Sequence, residues 1–147
     1  MPNTLEYLTK NDQALLQQKA RLQTYAAGDV IIAEGNLGGP VIMIESGSAW
    51  VERGGARLAK LAAGDVCGEM SFLEATHASA SVVAAEPTDV YAIPAAELQS
   101  TFESFPHLGA RFYRSVAVTL SRRLRETSRR LAAAKDESAK EPVPSHS

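Results

Sequence analysis

The sequence predicts a mainly β fold with flanking helices, a jelly-roll-like β-barrel of the double-stranded β-helix kind. Three observations carry this. From Leu22 to about Pro94, short runs of Val, Ile, Tyr and Thr are punctuated by glycine-marked turns, the texture of an all-β region. Seven or eight strands at that spacing suit a sandwich or a closed barrel. On either side the pattern turns helical, giving a short N-terminal helix and C-terminal helices.

The elements follow in order. "NDQALLQQKA" (11–20) is rich in helix formers, with Asn11 or Asp12 as its expected N-cap. Strands are expected at "LQTY" (22–25), "DVIIAE" (29–34), "VIMIES" (41–46), "SAWVER" (48–53), "ARLAKL" (56–61), "SASVVAA" (79–85) and "TDVYAIP" (88–94). Between them lie turn residues: Gly28-Asp29, Gly35 to Pro40, Ser46-Gly47, Gly54-Gly55, Gly64-Asp65 and Glu86-Pro87. Gly54-Gly55 sits where a tight hairpin needs positive φ.

After Pro94, "AAELQSTFES" reads as a short helix and a long one is expected over about 106–131. On the long helix Leu108, Phe112, Val116, Leu120 and Leu124 recur every four residues, an apolar stripe that drifts around the axis. Residues 132–147 gain Ser and Pro, so a disordered tail is expected there, leaving one domain over 1–131.

Composition narrows the function classes. The chain has 147 residues, 45% hydrophobic and 22% charged, which suits a single folded unit. No apolar run approaches the roughly 20 residues of a membrane helix, and the N-terminus lacks a signal-peptide pattern. A cytoplasmic location is expected. Cys67 is the one cysteine, so it reads as a packing residue in a reducing compartment. Residues 1–104 carry 6 basic against 13 acidic side chains, whereas 105–147 carry 9 against 4. An acidic body thus bears a basic C-terminal arm.

The stretch "CGEMSFLEATHASASVV" (67–83) holds the chemistry. Gly64, Asp65 and Gly68 bend the chain, and "EMSFLE" (69–74) suits a short helical turn. The unpaired amides that open such a turn attract an anion.

This arrangement resembles the cyclic nucleotide-binding domain of bacterial Crp/Fnr-type regulators, kinase regulatory subunits and gated channels. "GDVCGEMSFLEATHASASVVA" looks like that family's phosphate-binding cassette, and "GDVIIAEG" and "ESGSAWV" match its early strands. The resemblance implies a regulatory, non-enzymatic domain taking cAMP or cGMP and needing no cofactor, with Gly68, Glu69, Met70, Ser71, Ala78, Ser79 and Ser81 as its candidate ligand-binding residues. In it Glu69 matches the carboxylate that bonds the ribose 2′-hydroxyl. The amides near Gly68, Met70 and Ser71 match those that receive the cyclic phosphate, with Ser79 beside it. Ala78 stands where the family has an arginine on the phosphate. A charge-assisted hydrogen bond contributes roughly 1.5–3 kcal/mol, so its loss alone weakens binding about ten- to a few hundred-fold. His77 next to it lacks the planar fork of arginine. Two readings stay open: a ligand sensor acting through its C-terminal helices, or the same fold without its nucleotide, serving protein interaction or dimerisation.

Seven arginines lie on the long helix: Arg111, Arg114, Arg122, Arg123, Arg125, Arg129 and Arg130. They read as a solvated face, or as contacts to the acidic body of this chain or a second one. Leu120, Leu124 and Leu131 are the candidates for a helix pair in a homodimer. A DNA-binding domain is not expected after Leu131, and His77, His107 and His146 are too scattered to suggest a metal site. Trp50 reads as core or half-buried. Phe72 and Leu73 are expected to anchor the short turn to the barrel, and Phe102, Phe105, Phe112 and Tyr113 to seat the C-terminal helices.

Overall fold

The computed structural model describes residues 5–140. Helix α1 (Lys10–Lys19) begins at Thr9, whose hydroxyl accepts from the Asp12 amide at 3.0 Å while the Asp12 carboxylate accepts from the Thr9 amide at 2.9 Å. The N-cap is therefore Thr9, not Asn11 or Asp12. Asp12 is the distal half of a capping box, which satisfies two amides that the helix start leaves open.

Eight strands follow: β1 (Arg21–Tyr25), β2 (Val30–Ile32), β3 (Val41–Ser46), β4 (Ser48–Arg53), β5 (Ala56–Ala62), β6 (Val66–Cys67), β7 (Ser81–Ala84) and β8 (Thr88–Ile93). The two-residue β6 is too short to show a period and was not expected. The strands form two antiparallel four-stranded sheets, ordered β1-β8-β3-β6 and β2-β7-β4-β5. The jelly-roll character is as predicted, but the sheets do not close into a barrel. Each sheet ends in two edge strands, β1 and β6 in one and β2 and β5 in the other, while the sequence neighbours β3 and β4, and β7 and β8, lie in different sheets.

The corner between β3 and β4 is the single residue Gly47, at φ 90°. A Cβ there would lie 2.5 Å from the Pro87 carbonyl oxygen, so only glycine fits. Thr88 pins the same corner, its hydroxyl accepting from the Ser48 amide at 3.2 Å and donating to the Ser48 carbonyl at 2.9 Å. Inward side chains of both sheets, including Ile42, Ile44, Ala49, Leu61, Val82 and Val90, form one apolar cluster.

Helices α3 (Ala95–Ser104) and α4 (Pro106–Lys140) close the opposite face of the β1-β8-β3-β6 sheet. Leu16 of α1, Val41, Ile93, Leu98, Phe102, Leu108, Phe112 and Val116 are buried together there. At about 100° per residue, Leu124 lies about 160° around the helix from Leu108. Accordingly the stripe is buried through Val116, half-buried at Leu120, and 68% exposed at Leu124. Helix α4 also runs past Leu131 to Lys140, where a disordered tail was expected. Ala132–Ala134 and Lys135 are strong helix formers, and Pro142 is the first residue that cannot continue. The remainder of the expected tail, 141–147, lies outside the described residues.

Candidate functional site

The turn into the site is built by two residues. Asp65, buried, accepts from the Ala62 amide at 2.9 Å, fixing the bend between β5 and β6. Gly68 then takes φ 83° as the N-cap of α2 (Glu69–Glu74). A Cβ on it would approach the Pro40 carbonyl oxygen to 2.7 Å, so the turn depends on glycine twice over. Helix α2 ends at Ala75 with φ 53°. From there the loop is clipped to the β2–β3 connection: the Ala78 amide donates to the Asn36 carbonyl and the Gly35 amide to the Ala78 carbonyl, each at 2.8 Å.

These pieces border a cavity of about 260 Å³. Gly68, Glu69, Met70, Ser71, Ala78 and Ser79 all line it, on the side of the turn and loop. Ile32, Val51, Leu61 and Val82 supply an apolar wall from the β2-β7-β4-β5 sheet. Ser81 stands apart from them: its hydroxyl accepts from the Glu34 amide at 2.9 Å and holds β7 to the chain after β2. Arg123 of α4 also lines the cavity. Sequence reasoning named it only as one of seven arginines, because the phase of the helix against the sheet is set by packing.

Glu69 is 5% exposed. Burial pushes its carboxyl above the usual carboxylate range, while its own backbone amide and the positive charge of Arg123 act to hold it down. Among the described residues Glu69 makes no ion pair. Burial also pushes the Cys67 thiol well above its ordinary value, with Glu69 and Asp65 adding to the effect. A thiol so held is not a nucleophile at neutral pH, in keeping with a packing role.

Aromatic rings join this turn to the helices. Phe72 of α2 meets Phe102 of α3 at 6.2 Å and Phe112 of α4 at 6.5 Å, edge to face in both cases. Phe102 and Phe112 lie 5.0 Å apart, and Tyr113 packs beside both. Phe72 thus anchors the turn to the helices, within the apolar cluster that also holds Val41, Val66 and Ile93 of the sheet. Leu73 and Phe105, expected among the anchors, are more open, at 39% and 49% exposure.

Other arginines of α4 fasten the N-terminal segment. Arg122 pairs with Glu6 at 2.8 Å, Arg114 lies 4.4 Å from the centre of the Tyr7 ring, and Ser115 accepts from the Tyr7 amide at 3.1 Å. Trp50 is half-buried, with the Arg57 guanidinium 4.5 Å and the Lys60 ammonium 5.0 Å from the centre of its ring. Among the described residues no group of three His, Cys, Asp or Glu side chains gathers as metal ligands would, and no helix is long and apolar enough to cross a membrane. His146 lies outside the described residues.

Comparison with known proteins agrees with this geometry. Residues 22–105 match the model of the cyclic nucleotide-binding domain. Over 128 residues, 84% of this chain, the sequence is 31% identical to cyclic GMP-binding protein C of Dictyostelium discoideum, of which it spans 5%. It is 34% identical to the cyclic AMP receptor protein of Thermus thermophilus, covering 78% of this chain and 53% of that one. The chain therefore spans at most about half of these relatives. A cyclic nucleotide-binding domain from Methylobacillus flagellatus superposes with a TM-score of 0.78 at 24% identity, over 90% of this chain and 82% of that one.

Proposed function

This chain belongs to the cyclic nucleotide-binding domain family, and we propose that it is a regulatory domain that takes a cyclic mononucleotide, cAMP or cGMP, in the cavity beside Gly68–Ser71. The observation that carries the reading is a buried carboxylate, Glu69, lining an apolar-walled cavity next to the amides of the α2 turn. The amides suit the phosphate, Glu69 suits a ribose hydroxyl, and Ile32, Val51, Leu61 and Val82 suit the apolar faces of the nucleoside. Ligand entry shifts an equilibrium between positions of α3 and α4, through Phe72. The chain is read as non-enzymatic, its output reaching a partner through α4.

Calorimetric titration with cAMP and then cGMP tests this. Saturable micromolar binding supports the sensor. An absence of binding to either nucleotide sinks it.

The second reading keeps the fold without the nucleotide and makes it a protein-interaction or dimerisation module. Two features favour it: Ala78 in the phosphate loop, and the exposed Leu124 and Leu131 on α4. The mass of the protein in solution distinguishes a helix-paired homodimer from a monomer.

A further inference from the structure

We propose that Arg123, carried by the long helix, supplies the cationic contact to the ligand's phosphate that Ala78 cannot make. The inference rests on the nucleotide reading above and assigns its missing charge. Ala78 and Arg123 line the same cavity, and among the described residues lining it Arg123 is the one cation and Glu69 the one acid. Four of the other helix arginines are engaged elsewhere: Arg111 on Asp12, Arg114 on Tyr7, Arg122 on Glu6 and Arg130 on Glu126. Among the described residues Arg123 enters no ion pair, yet its charge is felt at the Glu69 carboxyl.

The electrostatics require such a group. A phosphate entering a cavity with an apolar wall gives up part of its hydration, and its charge needs a partner there more than it would in water. The amides of a short helical turn offer at most about half an elementary charge. A guanidinium within the same cavity offers a whole one, with forked donors that match phosphate oxygens.

The placement alters what binding does. A cation on the loop would hold phosphate whatever the helix did. A cation on α4 holds it only when the helix lies over the cavity, so anion affinity and helix position become linked, and by reciprocity whatever holds α4 in place tightens the site.

The test is calorimetry on the full chain with cAMP, cGMP and the phosphate-free nucleosides adenosine and guanosine. The proteins are wild type, Arg123→Ala, Arg123→Gln and the double variant Ala78→Arg/Arg123→Ala, each with its melting transition recorded. The expected result is a loss of roughly ten- to a few hundred-fold in cyclic nucleotide affinity for both Arg123 variants, recovered in the double variant. Nucleoside binding and melting should stay unchanged. If the wild type binds and Arg123→Ala binds equally well, this inference falls while the nucleotide reading stands. An equal loss for nucleoside and cyclic nucleotide also overturns it, assigning Arg123 to the sugar or base. If the wild type binds no cyclic nucleotide, both the inference and the reading beneath it fail.

Discussion

Arg111 grips the carboxylate of Asp12 through two bonds, Nε to Oδ2 at 2.6 Å and Nη2 to Oδ1 at 2.8 Å, and so ties α4 to α1 across 99 positions of sequence. The same carboxylate closes the capping box on Thr9. One buried acid therefore fixes both where the first helix starts and where the last one lies.

The pairing sets an acid limit on stability. The Arg111 guanidinium, through its hydrogen bond, holds the Asp12 carboxyl at about 2 against an ordinary 3.8, overcoming the opposing effect of burial. An acid whose folded value is depressed contributes stability above its unfolded value and loses it as pH falls through the folded one. Between pH 4 and pH 2 the wild type should lose its advantage over Asp12→Asn. At pH 7 the variant should be less stable by about 1 kcal/mol or more, from the weakened charge-assisted bonds to Arg111. Urea denaturation at several pH values reads this, and a constant gap across the window would contradict it.

Gly68→Ala should destabilise the fold by about 1–3 kcal/mol, from the positive φ and the approach to Pro40. It should also displace the α2 amides and weaken cyclic nucleotide binding. Thermal unfolding and calorimetry on one preparation check both, and a variant as stable as wild type would mean that the turn relaxes freely.

Phe72 offers a way to separate binding from output. Its ring leans on Phe102 and Phe112, whereas the cavity is lined by its neighbours Met70 and Ser71. Phe72→Ala should leave nucleotide affinity within a few-fold while abolishing ligand-induced changes in amide exchange along α3 and α4. Persisting exchange changes in the variant would place the coupling elsewhere.

Leu124 and Leu131, at 68% and 67% exposure, are the open part of the candidate helix pair, whereas Leu120 packs partly on its own core. Leu124→Glu with Leu131→Glu should halve the mass in solution and shift monomer stability by only about 0.5 kcal/mol. A mass that is monomeric beforehand, or unmoved afterwards, removes helix pairing.

Where the sequence was readable, local chemistry was the cause. The strands at 41–46 and 48–53 and the helices at 69–74 and 95–104 have the bounds expected of them, because glycine, proline or a change of period marks each end. The long helix outruns its expected end at Leu131 because the apolar residues stop there while the helix formers do not, and alanine needs no core to be helical. In the site, the turn at 68–71 and the loop residues Ala78 and Ser79 were legible from glycine spacing and the family pattern. Ser81 was not, since strand pairing turned its hydroxyl to Glu34. Nor was Arg123, whose approach depends on the packing of α4 over the fold.

The split of neighbouring strands between sheets also bears on how the protein is made. β1 has a single sheet neighbour, β8, with Arg21 opposite Ala92, so the earliest-made of these eight strands waits for the latest. The segment before it waits longer, for Ser115 and Arg122. Of the sequence neighbours, the hairpin of β4 and β5 is the pair that can close at once. The rest assembles as one late event of high contact order, slow to begin and exposed to aggregation until α4 arrives.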